Sequence, residues 1–238
     1  DAYVWTGSSW NVANNIASVG TTANAYRPFD IEYEKTTGRA LLVYFTNAAN
    51  EIGYKIWNGT AWSGESTYDL VSATIVNVYW MSLAQNPTSG SNELALVCVD
   101  ATNSDAYALI WSGSSWGDKY PLTSSISTIT TEDVRVAYEQ GNGYAHFAYA
   151  TGNDAHVVRR TGTATYTDYT VDLTGSQDPY WLSLKADPAS NRLMLLATDK
   201  TKKLATADWT PTAWTNLVTH DTGIDTDTGR CADIAWEP

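Results

Sequence analysis

The sequence predicts an all-β protein folded as a five-bladed β-propeller. Three observations carry the prediction. A W-x-G-x-x-W pattern recurs about every fifty residues. Two further strand patterns precede each copy from the second onward. The two ends of the chain hold complementary parts of one repeat.

The first copy is Trp5-Thr-Gly7-Ser-Ser-Trp10. It returns as Trp57-Asn-Gly59-Thr-Ala-Trp62 and as Trp111-Ser-Gly113-Ser-Ser-Trp116. A degenerate copy runs Arg160-Thr-Gly162-Thr-Ala-Thr165, and a fifth runs Trp209-Thr-Pro211-Thr-Ala-Trp214. The spacings are 52, 54, 49 and 49 residues. The flanks agree, since Asp105-Ala-Tyr repeats Asp1-Ala-Tyr. Each copy reads as a hairpin of two strands, C and D. A strand such as Ile52–Trp57 enters a turn at Asn58-Gly59, and the next strand leaves through Trp62. Asn-Gly and Ser-Gly suit such turns because the backbone there needs positive φ. The two Trp bracket the turn and pack on neighbouring strands.

Two strands are expected ahead of each hairpin. Strand A is placed at Asp30–Glu34, Met81–Gln85, Arg135–Glu139, Leu182–Ala186 and Asp233–Glu237. Strand B is placed at Ala40–Thr46, Leu94–Asp100, Ala145–Thr151 and Leu193–Asp199. Turns such as Asn86-Pro87-Thr-Ser-Gly90 and Asp187-Pro188-Ala-Ser-Asn191 join A to B. The B strands are almost continuously apolar, as strands buried on both faces should be. Four antiparallel strands per repeat is the signature of a propeller blade. No apolar period of 3.6 residues runs over a helical length. A β-sandwich would not explain a fifty-residue repeat.

Strands A, C and D each occur five times, and strand B four times. The chain reads as CD, four ABCD units, then A. One domain, 1–238, is expected, with blades at about 27–78, 79–132, 133–179 and 180–230. The fifth blade combines 1–26 with 231–238. Joining both ends in one blade closes the ring and removes exposed edges. Between Glu237 and Tyr3 that blade lacks a strand B. The chain continues beyond Pro238, or the blade closes with three strands, or another molecule supplies the strand.

Composition narrows the partners. The net charge is -12 and the sequence pI about 4.5, with 14 Lys and Arg in all. The densest basic cluster is Lys200, Lys202 and Lys203. Phosphate-binding surfaces need more clustered cations, so nucleic acid and anionic membranes are poor partners. No run of 18 apolar residues occurs, so no membrane insertion of this segment is expected. A start at Asp1, without Met or signal peptide, reads as a mature or trimmed product. Low Lys and abundant Thr, Ser, Trp and Tyr favour an extracellular or cell-surface setting. Cys98 and Cys231 fall in different blades and are expected to be unbonded, small buried residues.

The W-x-G-x-x-W hairpins, with Asp30-Ile-Glu-Tyr-Glu34 and Ala40-Leu-Leu-Val-Tyr44, resemble propeller repeats of secreted and surface proteins of prokaryotes. The resemblance covers the whole chain. Five blades of about fifty residues are also similar in size and plan to the tachylectin-2 type of lectin. None of that family's sugar-contacting residues maps onto this sequence, so no site carries over. The S-x-D-x-G-x-x-W box of sialidase-type propellers is absent.

Candidate chemistry is sparse. Glycoside cleavage needs two facing carboxylates. Strand A is expected to line the axial channel and carries Asp30, Glu32, Glu34, Glu139, Asp233 and Glu237. The positions matched to these in other repeats are Met81, Leu83, Gln85, Ala137, Leu182 and Leu184, so the acids follow no repeat rule and read as a solvated channel mouth. His146, His156 and His220 form no metal-ligand pair, and His146 is expected in the core. Neither a nucleophile elbow nor a Gly-rich phosphate loop is present. The loop Asp221-Thr-Gly-Ile-Asp225-Thr-Asp227-Thr-Gly229 resembles short calcium loops, which makes Asp221, Asp225 and Asp227 candidate ligands and Ca²⁺ the one cofactor to weigh. An ordinary polar connection is the alternative. Asn58-Gly59-Thr60 fits the N-glycosylation pattern on an exposed turn. Tyr79-Trp80 and Tyr180-Trp181 each open a strand A. Such rings stack on sugars or wedge blades together.

The expected function is a non-catalytic extracellular structural or adhesive module, able to assemble through its incomplete fifth blade. Its partners would be glycans or other surface proteins. A carbohydrate-binding lectin is the alternative, and a glycan-active hydrolase the third reading. A multivalent lectin would repeat polar residues in each blade, whereas the repeated residues here serve packing and turns.

Overall fold

The computed structural model describes residues 1–13, 15, 26–46, 48, 50–70, 77–173, 175, 177–224 and 229–237. Strands β1 (Ala2–Trp5) and β2 (Trp10–Ala13) form a two-stranded hairpin. Four antiparallel four-stranded sheets follow. The first holds β3 (Phe29–Tyr33), β4 (Ala40–Phe45), β5 (Glu51–Trp57) and β6 (Ser66–Asp69). The second holds β7 (Val78–Gln85), β8 (Leu94–Asp100), β9 (Asp105–Trp111) and β10 (Trp116–Thr123). The third holds β11 (Val134–Tyr138), β12 (Ala145–Thr151), β13 (Asp154–Gly162) and β14 (Thr165–Val171). The fourth holds β15 (Pro179–Ala186), β16 (Leu193–Asp199), β17 (Leu204–Thr210) and β18 (Ala213–Asp221).

Each sheet runs in sequence order, as four consecutive antiparallel strands should. The first strands β3, β7, β11 and β15 pack side by side in that order. Contacts also span sheets one and three, where Arg27 meets Glu132. Trp80 likewise meets Trp181 between sheets two and four. The first strands therefore surround a shared interior.

The hairpin turns follow the sequence. Gly7, Gly59 and Gly113 have φ of 96°, 98° and 94°, the backbone region that favours glycine. The flanking Trp pairs lie at matching distances, 5.4 Å for Trp5–Trp10, 5.6 Å for Trp57–Trp62, 5.5 Å for Trp111–Trp116 and 5.7 Å for Trp209–Trp214. The second strands β4 and β8 are buried at every residue. Alternate faces serve different neighbours. Leu41 and Val43 of β4 pack with Met81 and Leu83 of β7, and Val97 of β8 packs with Val136 of β11.

Two expectations need correction. The register of the first strands differs in sheets two and four. Backbone bonds from Glu34 N to Arg39 O, Asn86 N to Glu93 O, Glu139 N to Tyr144 O and Asp187 N to Arg192 O show that Glu34, Asn86, Glu139 and Asp187 are equivalent. The expected alignment of Met81–Gln85 and Leu182–Ala186 was therefore one residue early. The connection Asn86–Glu93 is longer than Glu34–Arg39, which displaces the pattern in sheet two; Asp187–Arg192 has the same length as Glu34–Arg39, so the slip in sheet four has another origin.

The second correction concerns Asp233–Glu237. No strand is assigned over 231–237, so the described residues show four full sheets and one two-stranded hairpin. Among the described residues no strand pairs with this segment. It nonetheless lies along β15. Ser183 Oγ donates to Asp233 Oδ1 at 2.5 Å, and Trp236 Nε1 donates to Lys185 O at 3.1 Å.

Neither cysteine is in a disulfide. Cys98 is buried as expected, and burial pushes its thiol up to about 12. Cys231 is exposed rather than buried, at the start of the segment that carries no strand.

Candidate functional site

The two Tyr-Trp pairs occupy equivalent irregularities. In the pairing of β7 with β8 the register shifts between Val78 and Trp80, leaving Tyr79 as the extra residue. In the pairing of β15 with β16 it shifts between Pro179 and Trp181, leaving Tyr180 as the extra residue. A β-bulge bends the strand and re-aims its side chains. Here both bulges bring indoles to one end of the shared interior. Trp80 and Trp181 meet edge-to-face, with ring centroids 6.3 Å apart. Tyr26 stacks on Tyr79 at 3.8 Å and meets Trp80 edge-on at 5.7 Å. Trp80 is buried and its Nε1 donates to Ile129 O at 3.1 Å. Tyr26, Tyr79, Tyr180 and Trp181 are half-buried and present ring surface at this end.

A charged fork lies beside the rings. Arg27 Nη2 and Arg135 Nη1 each lie 2.6 Å from Glu132 Oε1, and Arg135 Nη2 donates to Glu132 Oε2 at 2.6 Å. Arg27 Nη2 also donates to Met81 O at 3.2 Å. Burial works to raise the Glu132 pKa, but the two guanidiniums more than offset it and hold the carboxyl below its usual range. Arg27 and Glu132 hold the same place in the repeat, since their carbonyls accept from Met81 N and Leu182 N. Two buried polar atoms here lack a protein partner, Arg27 Nε and Thr131 Oγ1. Buried polar atoms are nearly always hydrogen-bonded, so donors of this kind suit a hydroxyl-rich ligand or water. Sequence reasoning found the four rings and missed Tyr26, Arg27, Thr131, Glu132 and Arg135. The available signal was the Tyr26-Arg27 and Thr131-Glu132 pairs lying just before equivalent strands.

The remaining candidates fall elsewhere. Asp30 accepts from Leu83 N at 2.8 Å and Ile31 N at 3.0 Å, so it ties sheet one to sheet two. Burial raises the Glu32 pKa. Glu34 and Glu139 are not a solvated channel mouth, and for these two the reading that the acids follow no repeat rule is corrected. Each is buried and accepts the indole N–H of the next sheet: Trp111 Nε1 to Glu34 Oε1 at 2.8 Å, and Trp209 Nε1 to Glu139 Oε1 at 3.1 Å. Arg39 Nε and Arg159 Nε pair with them, each at 2.8 Å.

His146 belongs to the second of these networks, in the core as expected. Burial pushes its pKa down, so the ring is neutral and Nε2 donates to Glu139 Oε1 at 2.9 Å. Burial works to raise the Glu139 pKa, but bonds from His146, Arg159 and Asn142 bring it to about 2. Both folded values lie below their ordinary ones of 6.5 and 4.5. Each group therefore contributes stability that is present above its ordinary value and lost as pH falls. The melting temperature is expected to decline from about pH 6.5 downward and more steeply below about 4.5. In His146→Gln the upper part of the decline should vanish. Thermal unfolding followed by circular dichroism over pH 3–8 checks this; an unchanged profile in the variant would contradict it.

Asp221 accepts from Gly223 N at 2.9 Å, while Asp225 and Asp227 lie outside the described residues. No cluster of metal-ligating side chains occurs among the described residues. Asn58 is exposed, and its Oδ1 accepts from Thr60 N, Thr60 Oγ1 and Ala61 N, which fixes the turn. A shallow recess of about 310 Å³ is lined by Tyr3 and Trp10.

No protein-family model matches the sequence, and no curated protein matches it. Solved structures do. A fungal lectin from Aleuria aurantia, described as a six-bladed β-propeller with a novel fucose recognition mode, matches with a TM-score of 0.56 at 13% identity. The match covers 93% of this chain and 70% of that one. A variant of the same lectin in complex with Fucα1-6GlcNAc gives a TM-score of 0.51 at 13% identity, covering 93% and 71%. These likenesses define the class of fold: a β-propeller built from four-stranded antiparallel sheets.

Proposed function

We propose that this chain is a non-catalytic carbohydrate-binding propeller that acts outside the cell. Its ring has five blades, at 27–78, 79–132, 133–179 and 180–230, with the fifth formed by 1–26 and 231–238. The sugar site is the end of the interior where Tyr79, Trp80, Tyr180 and Trp181 converge. The observation that carries the reading is the meeting of two bulged Tyr-Trp pairs beside a charged fork with unpartnered donors. Flat rings cover the apolar face of a sugar, and charged or buried donors bind its hydroxyls.

The propeller neighbours are lectins, one with a fucosylated ligand, which favours this reading over the structural or adhesive module. The Tyr3–Trp10 recess is a weaker candidate, since the Trp10 counterparts Trp62, Trp116 and Trp214 are half-buried or buried packing residues in the complete sheets. An array of neutral, fucosylated and acidic glycans tests the proposal. The wild-type chain should bind a defined subset, and Trp181→Ala should weaken binding about tenfold, the equivalent of ~1.4 kcal/mol, with an unchanged circular dichroism spectrum. Binding that survives Trp181→Ala at full strength, or no glycan binding at all, would overturn it.

A further inference from the structure

The residue after the first Trp of each repeat closes the hairpin turn. In three copies it carries a hydroxyl: Thr6, Ser112 and Thr210. Thr6 N donates to Ser9 O and Ser112 N to Ser115 O, each at 2.9 Å. The hydroxyls bridge the same turns. Ser9 N donates to Thr6 Oγ1 at 3.2 Å, and Ser115 N to Ser112 Oγ at 3.1 Å. Thr210 Oγ1 donates to Ala213 O at 3.0 Å. In the second copy a carboxamide takes this place. Asn58 N donates to Ala61 O at 3.2 Å, and Ala61 N donates back to Asn58 Oδ1 at 2.9 Å.

The carboxamide is held by its oxygen alone. Thr60 N and Thr60 Oγ1 also donate to Asn58 Oδ1, at 3.0 and 2.9 Å. Asn58 Nδ2 makes no hydrogen bond among the described residues. Asn58, Gly59, Thr60 and Ala61 are all exposed, and a Cβ placed on Gly59 would meet no atom within 4 Å. The apex of this turn is therefore open, with a free carboxamide nitrogen and a hydroxyl two residues on.

Asn58-Gly59-Thr60 is the one N-x-[ST] run in the sequence whose middle residue is not Pro. The proline-containing run, Asn86-Pro87-Thr88, is its opposite in structure. Asn86 is 8% exposed, and its Nδ2 donates to Glu93 Oε1 at 3.2 Å and Gly143 O at 3.4 Å. The two turns also differ in what the fold asks of the residue. Asn86 bonds across two sheets, whereas Asn58 does what a Ser or Thr does in the other hairpins. Ala40 pairs with both Tyr33 and Trp57, so the Asn58 turn lies at the Glu34 end of sheet one, opposite Arg27 and the aromatic rings.

We propose that Asn58 is an acceptor for an N-linked glycan, supplied as an oligosaccharide on a lipid pyrophosphate. Asn58 Nδ2 bonds to C1 of the first sugar as the bond from C1 to the pyrophosphate oxygen breaks. The lipid pyrophosphate leaves with the electron pair, and Nδ2 loses one proton. The glycan projects from the end of the fold away from the rings. The inference rests on the extracellular setting proposed above and not on the sugar site.

The test secretes the 1–238 chain from a eukaryotic host behind a cleavable leader and reads occupancy by peptide mass spectrometry, before and after enzymatic release of N-glycans. One glycan is expected, on Asn58 alone, with Asn86 unmodified. Asn58→Ser should abolish it and leave the melting temperature within about 2 °C, because a hydroxyl closes the equivalent turns. Thr60→Ala should abolish it too, whereas Thr60→Ser should retain it. An unmodified Asn58 in the folded, secreted wild type overturns the proposal, as does a glycan that persists in Asn58→Ser. Array binding should be equal for the glycosylated chain and for Asn58→Ser; a loss confined to the glycosylated chain contradicts the placement away from the rings. Occupancy is read by mass, so it decides this proposal even if neither form binds the array, a result that would sink the sugar reading alone.

Discussion

Replacing Glu139 with Ala is expected to destabilise the fold by about 3–5 kcal/mol, the usual cost of removing one partner from a buried charged pair. The side chain is fully buried and serves as the acceptor for four donors. His146 Nε2, Arg159 Nε and Trp209 Nε1 reach Oε1, at 2.9, 2.8 and 3.1 Å, and Asn142 Nδ2 reaches Oε2 at 2.8 Å. Deleting the carboxylate leaves the Arg159 guanidinium against the Trp209 ring, 5.2 Å from its centroid, without its counter-ion. It also leaves a buried indole N–H without an acceptor, a further desolvation cost. Urea unfolding of wild type and variant measures the difference. A loss under about 1 kcal/mol would mean that the site relaxes or admits water, and that this network does not hold sheets three and four together.

Trp111→Ala should cost about 3–5 kcal/mol, whereas Trp5→Ala should cost less than about 0.5. The two residues occupy one position of one repeat, so the contrast isolates environment from residue type. Trp111 is buried between Tyr54 and Trp116, at 5.4 and 5.5 Å, and donates to Glu34 of the preceding sheet. Removing it opens a large cavity and strips that carboxylate of a donor. Trp5 keeps its 5.4 Å contact with Trp10 but is otherwise half in solvent. Thermal unfolding of the pair checks the claim. Similar losses for both would mean that the hairpin is packed as the complete sheets are.

Much of the fold was legible because the strongest local signals coincide with the repeat. The Trp-x-Gly pattern encodes a positive-φ turn and two packing rings, so the hairpins could be placed directly. The second strands could be read because burial on both faces forces an unbroken apolar run. The first strands were harder to place. In sheet two the connection to the second strand is longer, Asn86–Glu93 against Glu34–Arg39, which shifts the pattern there. The expected strands already aligned Glu34 with Glu139, but only the packing shows that each carboxylate is buried against the indole of the next sheet, so they read as solvated acids. The segment 231–237 carries a strand-like sequence, but a ladder needs a partner, and none pairs with it among the described residues.

The candidate site was legible only in part. Tyr79-Trp80 and Tyr180-Trp181 stand out as repeated aromatic pairs. That the rings converge depends on two bulges, and no turn residue or periodicity marks a bulge there. Arg27 could not be grouped with Glu132 and Arg135, because it lies far from them in sequence and meets them only once the inner strands surround one interior.

The central claim is that sugar binds where the bulged pairs meet. Titrating the ¹⁵N-labelled chain with the glycan selected on the array, while following the indole N–H resonances of its 11 Trp, tests it most directly. The account predicts that Trp181 and Trp80 shift while the buried Trp111 and Trp209 hold still. Shifts confined to Trp5 and Trp10, or none at saturating glycan, would contradict it.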